Sequence, residues 1–260
     1  MKNQLALLAL LTLAGCAQQP ANNATPASQQ TSTANTSDET NRARIHTELA
    51  ADYFTRTQYA IALEELRDAL SSNNRYAPAY NMMGLVYMEL KEDKPAEDNF
   101  LRAIALAPGE SETRNNYGWF LCTRNRISEA LTQFNIALTN PLYPSPERAL
   151  TNAGICSLKA NDMSAAQGYF ERALKFQPNQ AQALAQLATL YYQQGRYTES
   201  KTLLARYFEV SQPTAATLWL GVRLARQTGN RDDEASYGFQ LRKRFADAPE
   251  TRLLMNGQYQ

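Results

Sequence analysis

Histidine occurs once in the 260 residues, at His46, and cysteine three times, at Cys16, Cys122 and Cys156. A solitary imidazole, with no Cys-x2-Cys or His-Glu-x2-His spacing anywhere, offers no ligand set for a metal. Neither a Gly-x-Ser-x-Gly elbow nor a Gly-rich phosphate loop occurs. The expectation is a chain that is not an enzyme and uses no cofactor, metal or small-molecule substrate. Charge of neither sign dominates: 26 basic side chains face 25 acidic ones, a net charge of +1. A nucleic-acid partner normally requires a basic excess, so none is expected. Glycine and proline are scarce, 11 of each, which favours helix over sheet. No apolar run reaches the roughly 20 residues that a membrane-spanning helix needs.

What is present at the N-terminus is a shorter run, Leu5 to Leu13, preceded by Lys2. It has the length of a signal-peptide core. The run ends in Leu13-Ala14-Gly15-Cys16, which resembles a bacterial lipobox. The resemblance implies that residues 1–15 are removed and that a lipid is attached to the Cys16 sulfur. Ala17 and Gln18 follow, without the Asp that commonly retains such lipoproteins in the inner membrane. The implied location is therefore the outer membrane, at its periplasmic face. After Cys16, residues 17–40 are Gln, Asn, Thr, Ser, Ala and Pro with one acidic pair, Asp38-Glu39, and no large apolar side chain. Such a segment buries too little surface to fold, so it is expected to be a disordered tether averaging about 27 Å end to end.

From Asn41 onward the chain resembles itself at intervals near 34 residues. Gly84, Gly118, Gly154 and Gly221 recur in one register, with Ala50 and Ala188 in the same place in two further copies. All of these except Gly221 are followed by a second motif: Ala62-x3-Leu66, Ala96-x3-Phe100, Ala130-x3-Phe134, Ala166-x3-Phe170 and Ser200-x3-Leu204. Pro108 and Pro178 close two of the copies and are expected to start the following helix. This pattern resembles the tetratricopeptide repeat, or TPR, a helix–turn–helix unit. The small residues let paired helices approach closely, and the aromatics fill the space between repeats. The fold implied is an all-α solenoid of about six repeats in a right-handed superhelix. Approximate repeats are 43–76, 77–110, 111–144, 147–180, 181–213 and 214–250, the last being blurred from Gly229 to Tyr237 and suited to a cap.

In TPR proteins, fixed places on the first helix of each repeat line a concave groove. Carried onto this sequence, those places give Phe54, Asn81, Leu85, Met88, Asn115, Trp119, Ile155, Leu158 and Tyr192. The expected groove is an apolar and aromatic stripe with two asparagines, able to take a segment of a protein partner. Asn81 and Asn115 are expected to bond the main chain of that segment.

Cys122 and Cys156 fall at nearly equivalent places in adjacent repeats. In an oxidising periplasm they are read either as a disulfide or as two small buried side chains. Between their repeats lies Asn140-Pro141-Leu142-Tyr143-Pro144-Ser145-Pro146, which helix cannot cross. It is either a tolerated insertion or a stiff element that sets the angle between two halves of the stack. This loop, Asn115-Asn116-Tyr117-Gly118-Trp119-Phe120-Leu121-Cys122, and Asn152-Ala153-Gly154-Ile155-Cys156 resemble the type IV pilus biogenesis lipoproteins of the PilF/PilW family. The resemblance implies a pilotin, an outer-membrane lipoprotein that binds subunits of the type IV pilus secretin and promotes their assembly. It also implies that Cys122 and Cys156 pair. A periplasmic TPR adaptor for barrel assembly or cell-wall enzymes is the alternative.

Overall fold

A computed structural model describes residues 27–259, all of it helix, turn and loop. The chain divides into two compact units, 1–38 and 39–260. Of the first unit only residues 27–38 are described, and they are helical. The second holds the solenoid, built from residues 39–55 of α1 (Ala27–Thr55), α2 (Tyr59–Ser72), α3 (Ala77–Glu89), α4 (Asp93–Leu106), α5 (Ser111–Thr123) and α6 (Ile127–Ala137). It continues through α7 (Pro146–Lys159), α8 (Met163–Phe176), α9 (Ala181–Gln193), α10 (Tyr197–Val210), α11 (Ala215–Gln227), α12 (Arg231–Arg244) and the short α13 (Pro249–Met255). Sequence neighbours pair as α3·α4, α5·α6, α7·α8, α9·α10 and α11·α12, and first helices also touch one another as α3·α5, α5·α7, α7·α9 and α9·α11.

The close approach within each pair follows from one contact repeated along the stack. A Cβ placed on Gly84 would lie 2.7 Å from the Phe100 ring, on Gly118 2.8 Å from Phe134, on Gly154 2.5 Å from Phe170, and on Gly221 2.9 Å from Tyr237. No real side chain tolerates those distances, so glycine is required wherever the opposing residue is aromatic. Where Ala50 or Ala188 holds the small place, the opposing residue is Leu66 or Leu204, and all four are buried. The core is a spine rather than a single centre. One cluster joins Ala50 and Leu66 to Met82, the next joins Phe100 to Phe134 and Cys156, and a third joins Leu150 and Phe170 to Leu204 and Leu224.

The turn inside each repeat also recurs. Thr57, Lys91, Asn125, Asn161, Gly195 and Gly229 all have φ between 58° and 74°. In each, two amides close the first helix, as Asn125 N–H does on Cys122 O and Arg126 N–H on Leu121 O. This left-handed residue is the usual helix terminator, and glycine fills it at least strain. α13 begins one repeat length after α11, touches α11 and α12, and ends in the same turn at Gly257. It is the first helix of a further repeat, cut short.

Three expectations need correction. The helix that opens the first repeat begins at Ala27, not Asn41, so residues 27–40 of the expected tether are helical. That stretch contains no glycine or proline, and extending an existing helix is far easier than nucleating one. The signal peptide, Cys16 and the rest of the tether lie outside the described residues. Second, Pro108 and Pro178 do not start the next helix: α5 begins at Ser111 and α9 at Ala181, while Pro78, Pro146 and Pro249 occupy first-turn positions. Third, the blurred half of the sixth repeat is a complete helix, α12, because Tyr237 still meets Gly221.

The proline-rich loop is pinned rather than loose. Leu142 N–H bonds the Asn140 side-chain oxygen at 2.9 Å, and Tyr143 N–H bonds the Asn140 carbonyl at 3.2 Å. The Tyr143 ring fills a small core with Ala137 and Ala149, between α6 and α7. Leu142, one residue earlier, is 86% exposed.

Candidate partner-binding groove

The first helices α1, α3, α5, α7 and α9 together line a hollow of about 530 Å³. Five of the nine expected side chains are on its wall: Phe54, Leu85, Met88, Asn115 and Trp119. They are joined by Glu89, Glu112, Asn116, Arg148, Thr151, Asn152, Gln180 and Gln182. The lining is polarised along the stack. Apolar side chains come from the first three repeats. α7 and the start of α9 contribute only polar side chains, Arg148, Thr151, Asn152, Gln180 and Gln182, and Arg148 Nη1 pairs with Glu112 Oε1 of α5 at 2.9 Å.

The other four expected residues are elsewhere. Ile155, Leu158 and Tyr192 pack against the core cluster of repeats four to six. The reason is visible at Tyr192, whose ring is covered by the Arg223 guanidinium of the next repeat, 4.6 Å from the centroid. Asn81 sits behind the wall, and its side-chain oxygen accepts from Asn116 Nδ2 at 3.2 Å. The same bond recurs one repeat on, from Asn152 Nδ2 to Asn115 Oδ1 at 3.0 Å, and Asn115 Nδ2 reaches Asn116 Oδ1 at 3.4 Å. Asn81, Asn116, Asn115 and Asn152 thus form a ladder across α3, α5 and α7. Asn115 is buried, with oxygen and nitrogen both engaged. It braces the groove floor instead of presenting both groups to a peptide, as expected from its position. Asn116 and Asn152 are the ladder members that the sequence reading missed. Their signal was there: both stand two residues before the glycine of their repeats.

The proline-rich loop reaches this site. Tyr143 donates its hydroxyl to Glu112 Oε2 at 3.1 Å, on the carboxylate that also holds Arg148. Burial, and then the negative charge of Glu112, push the Tyr143 phenol well above its usual range. The loop therefore fixes the one ion pair of the groove wall.

Cys122 and Cys156 lie beneath Trp119, fully buried and joined as a disulfide with Cα atoms 5.8 Å apart. They link α5 to α7, at the place where Arg223 covers Tyr192 two repeats later. His46 is not on the groove wall: its Nδ1 is 2.7 Å from Glu65 Oε2, across α1 and α2. Among the described residues no group of three or more His, Cys, Asp or Glu is placed to hold a metal ion.

Tetratricopeptide-repeat family models match residues 77–110, 121–183 and 157–219. The type IV pilus assembly protein PilF of Pseudomonas aeruginosa is 30% identical over 203 residues, which cover 78% of this chain and 81% of PilF. The chain belongs to the PilF/PilW family of type IV pilus biogenesis TPR proteins. Two solved structures of the family agree. The solved P. aeruginosa PilF superposes with a TM-score of 0.80 at 28% identity, covering 85% of this chain and 99% of that one. PilW, described as a widely conserved type IV pilus biogenesis factor, gives a TM-score of 0.73 at 32% identity, covering 82% and 98%. Membership in the PilF/PilW family makes this a protein of pilus biogenesis and fixes the all-α TPR architecture.

Proposed function

We propose that this family member is a pilotin, whose groove holds a segment of a type IV pilus secretin subunit while a lipid on Cys16 retains it at the outer membrane. The observation that carries the reading is the polarised hollow of about 530 Å³. Its apolar end, Phe54, Leu85, Met88 and Trp119, suits the buried side chains of a docked segment. At its other end the Gln182 amide and the Asn152 side-chain oxygen suit main-chain N–H and C=O groups. Relatives named for type IV pilus assembly and biogenesis support the pilus context. No nucleotide or metal enters this mechanism. The lipid sets the place, the N-terminal segment gives reach, and the groove raises the local concentration of secretin where it assembles, into the millimolar range for short flexible connections.

The test is a pull-down from detergent-solubilised envelopes with the acylated protein as bait. A secretin recovered by the wild type and lost with Leu85→Glu plus Trp119→Glu, at unchanged helix content, supports the reading. Recovery of barrel-assembly or cell-wall proteins without secretin refutes it and favours a general TPR adaptor. Cys16→Ser is expected to keep binding in detergent and to lose secretin placement in cells.

A further inference from the structure

The far end of the stack carries a surface that the groove does not use. On α12, Phe239 is 58% exposed, and on α13 Met255 is 70% exposed. Around them Arg242, Lys243, Arg244 and Arg252 are all exposed. None of the four enters an ion pair among the described residues. The Lys243 ammonium stands 5.7 Å from the centre of the Phe239 ring. α12 and α13 meet at Gly238, where an added Cβ would lie 3.5 Å from both Leu254 and the Arg242 guanidinium. Phe239 and Lys243 therefore flank the seam with α13. Residues 242–252 hold these four cations against two carboxylates, Asp247 and Glu250, a net charge of +2 beside two exposed apolar side chains, and that combination has a specific chemistry. Cations complement anionic headgroups, the apolar side chains enter the headgroup–acyl boundary, and long basic stems lie between the two.

We propose that this α12–α13 surface docks on a membrane leaflet containing anionic phospholipid. Each cation near such a surface strengthens partition by about fivefold. Contact here would lay the solenoid along the membrane and set the orientation of the groove. The surface shares no residue with the groove, so its test is independent of the secretin reading. The experiment uses the chain from Ala17 to Gln260, so that neither an acyl chain nor the apolar run Leu5 to Leu13 contributes. Co-sedimentation is measured with phosphatidylcholine vesicles and with vesicles holding about one quarter phosphatidylglycerol, at low and high salt. The expected result is at least tenfold stronger binding to the anionic vesicles at low salt, abolished at high salt. Arg242→Glu with Lys243→Glu should reduce it to the phosphatidylcholine level at an unchanged melting temperature. Phe239→Ser should weaken binding while keeping its salt dependence. Equal partition onto the two vesicle types, or a preference that survives the double charge reversal, overturns the proposal.

Discussion

Replacing Gly154 by alanine tests the repeated glycine–aromatic contact most directly. The added methyl would sit 2.5 Å from Phe170 Cε1 and 2.8 Å from two more ring carbons. Phe170 is fully buried and has nowhere to retreat. Such overpacking costs about 1–3 kcal/mol, and the contact here belongs at the upper end. Alanine in place of glycine returns about 1 kcal/mol of helix propensity, leaving a net loss of about 2 kcal/mol. Phe170→Leu alone removes buried ring and leaves a gap, a loss of roughly 1–2 kcal/mol. In the double variant the methyl enters the space that the ring has left, as Ala50 does opposite Leu66 and Ala188 opposite Leu204. The pair should then be no less stable than Phe170→Leu alone, a coupling of about 2 kcal/mol. Urea unfolding followed by circular dichroism on the four proteins measures it. Losses that simply add would refute the claim that ring and glycine specify one another.

Reducing the disulfide, or replacing Cys122 and Cys156 by alanine, should lower stability by about 2–4 kcal/mol, seen as a shift of the urea midpoint that reductant produces in the wild type only. Asn115→Leu should cost about 1–3 kcal/mol because it strips partners from the buried ladder, whereas an exposed Asn74→Leu should not. Thr57 has φ of 60°, a conformation costing a β-branched residue about 1–2 kcal/mol; Thr57→Gly should raise the melting temperature, and a fall would refute the turn assignment. Tyr117, Tyr143 and Tyr191 have phenols raised first by burial and then by Glu97, Glu112 and Glu171 respectively. A raised folded-state value means that this stabilisation is complete below the unfolded value near pH 10 and is lost as pH rises through the folded one. Stability should therefore fall above about pH 10, and Tyr143→Phe should lessen the slope by up to about 1.4 kcal/mol per pH unit.

Much of the scaffold was legible because its contacts are local and periodic. Gly84, Gly118 and Gly154 each meet a ring sixteen residues later, so spacing alone marks the helix pair. The intrarepeat turn carries a sequence signal only where glycine fills it, at Gly195 and Gly229. Thr57, Lys91, Asn125 and Asn161 adopt the same left-handed geometry without announcing it. The groove was half legible. Its apolar wall came from repeat register, but register treats every repeat alike, and it carried the stripe on to Ile155, Leu158 and Tyr192.

The sequence by itself determined the repeat, its length and phase, the all-α class and the pairing of small residues with large ones, since each depends on residues within one helical hairpin. The tertiary structure decided which first-helix side chains remain open. That choice depends on residues one repeat away: Arg223 covers Tyr192, Asn152 engages Asn115, and Tyr143 reaches Glu112 from an inserted loop. Only stacking brings them together, because the distance from one repeat to the next is set by packing and not by periodicity.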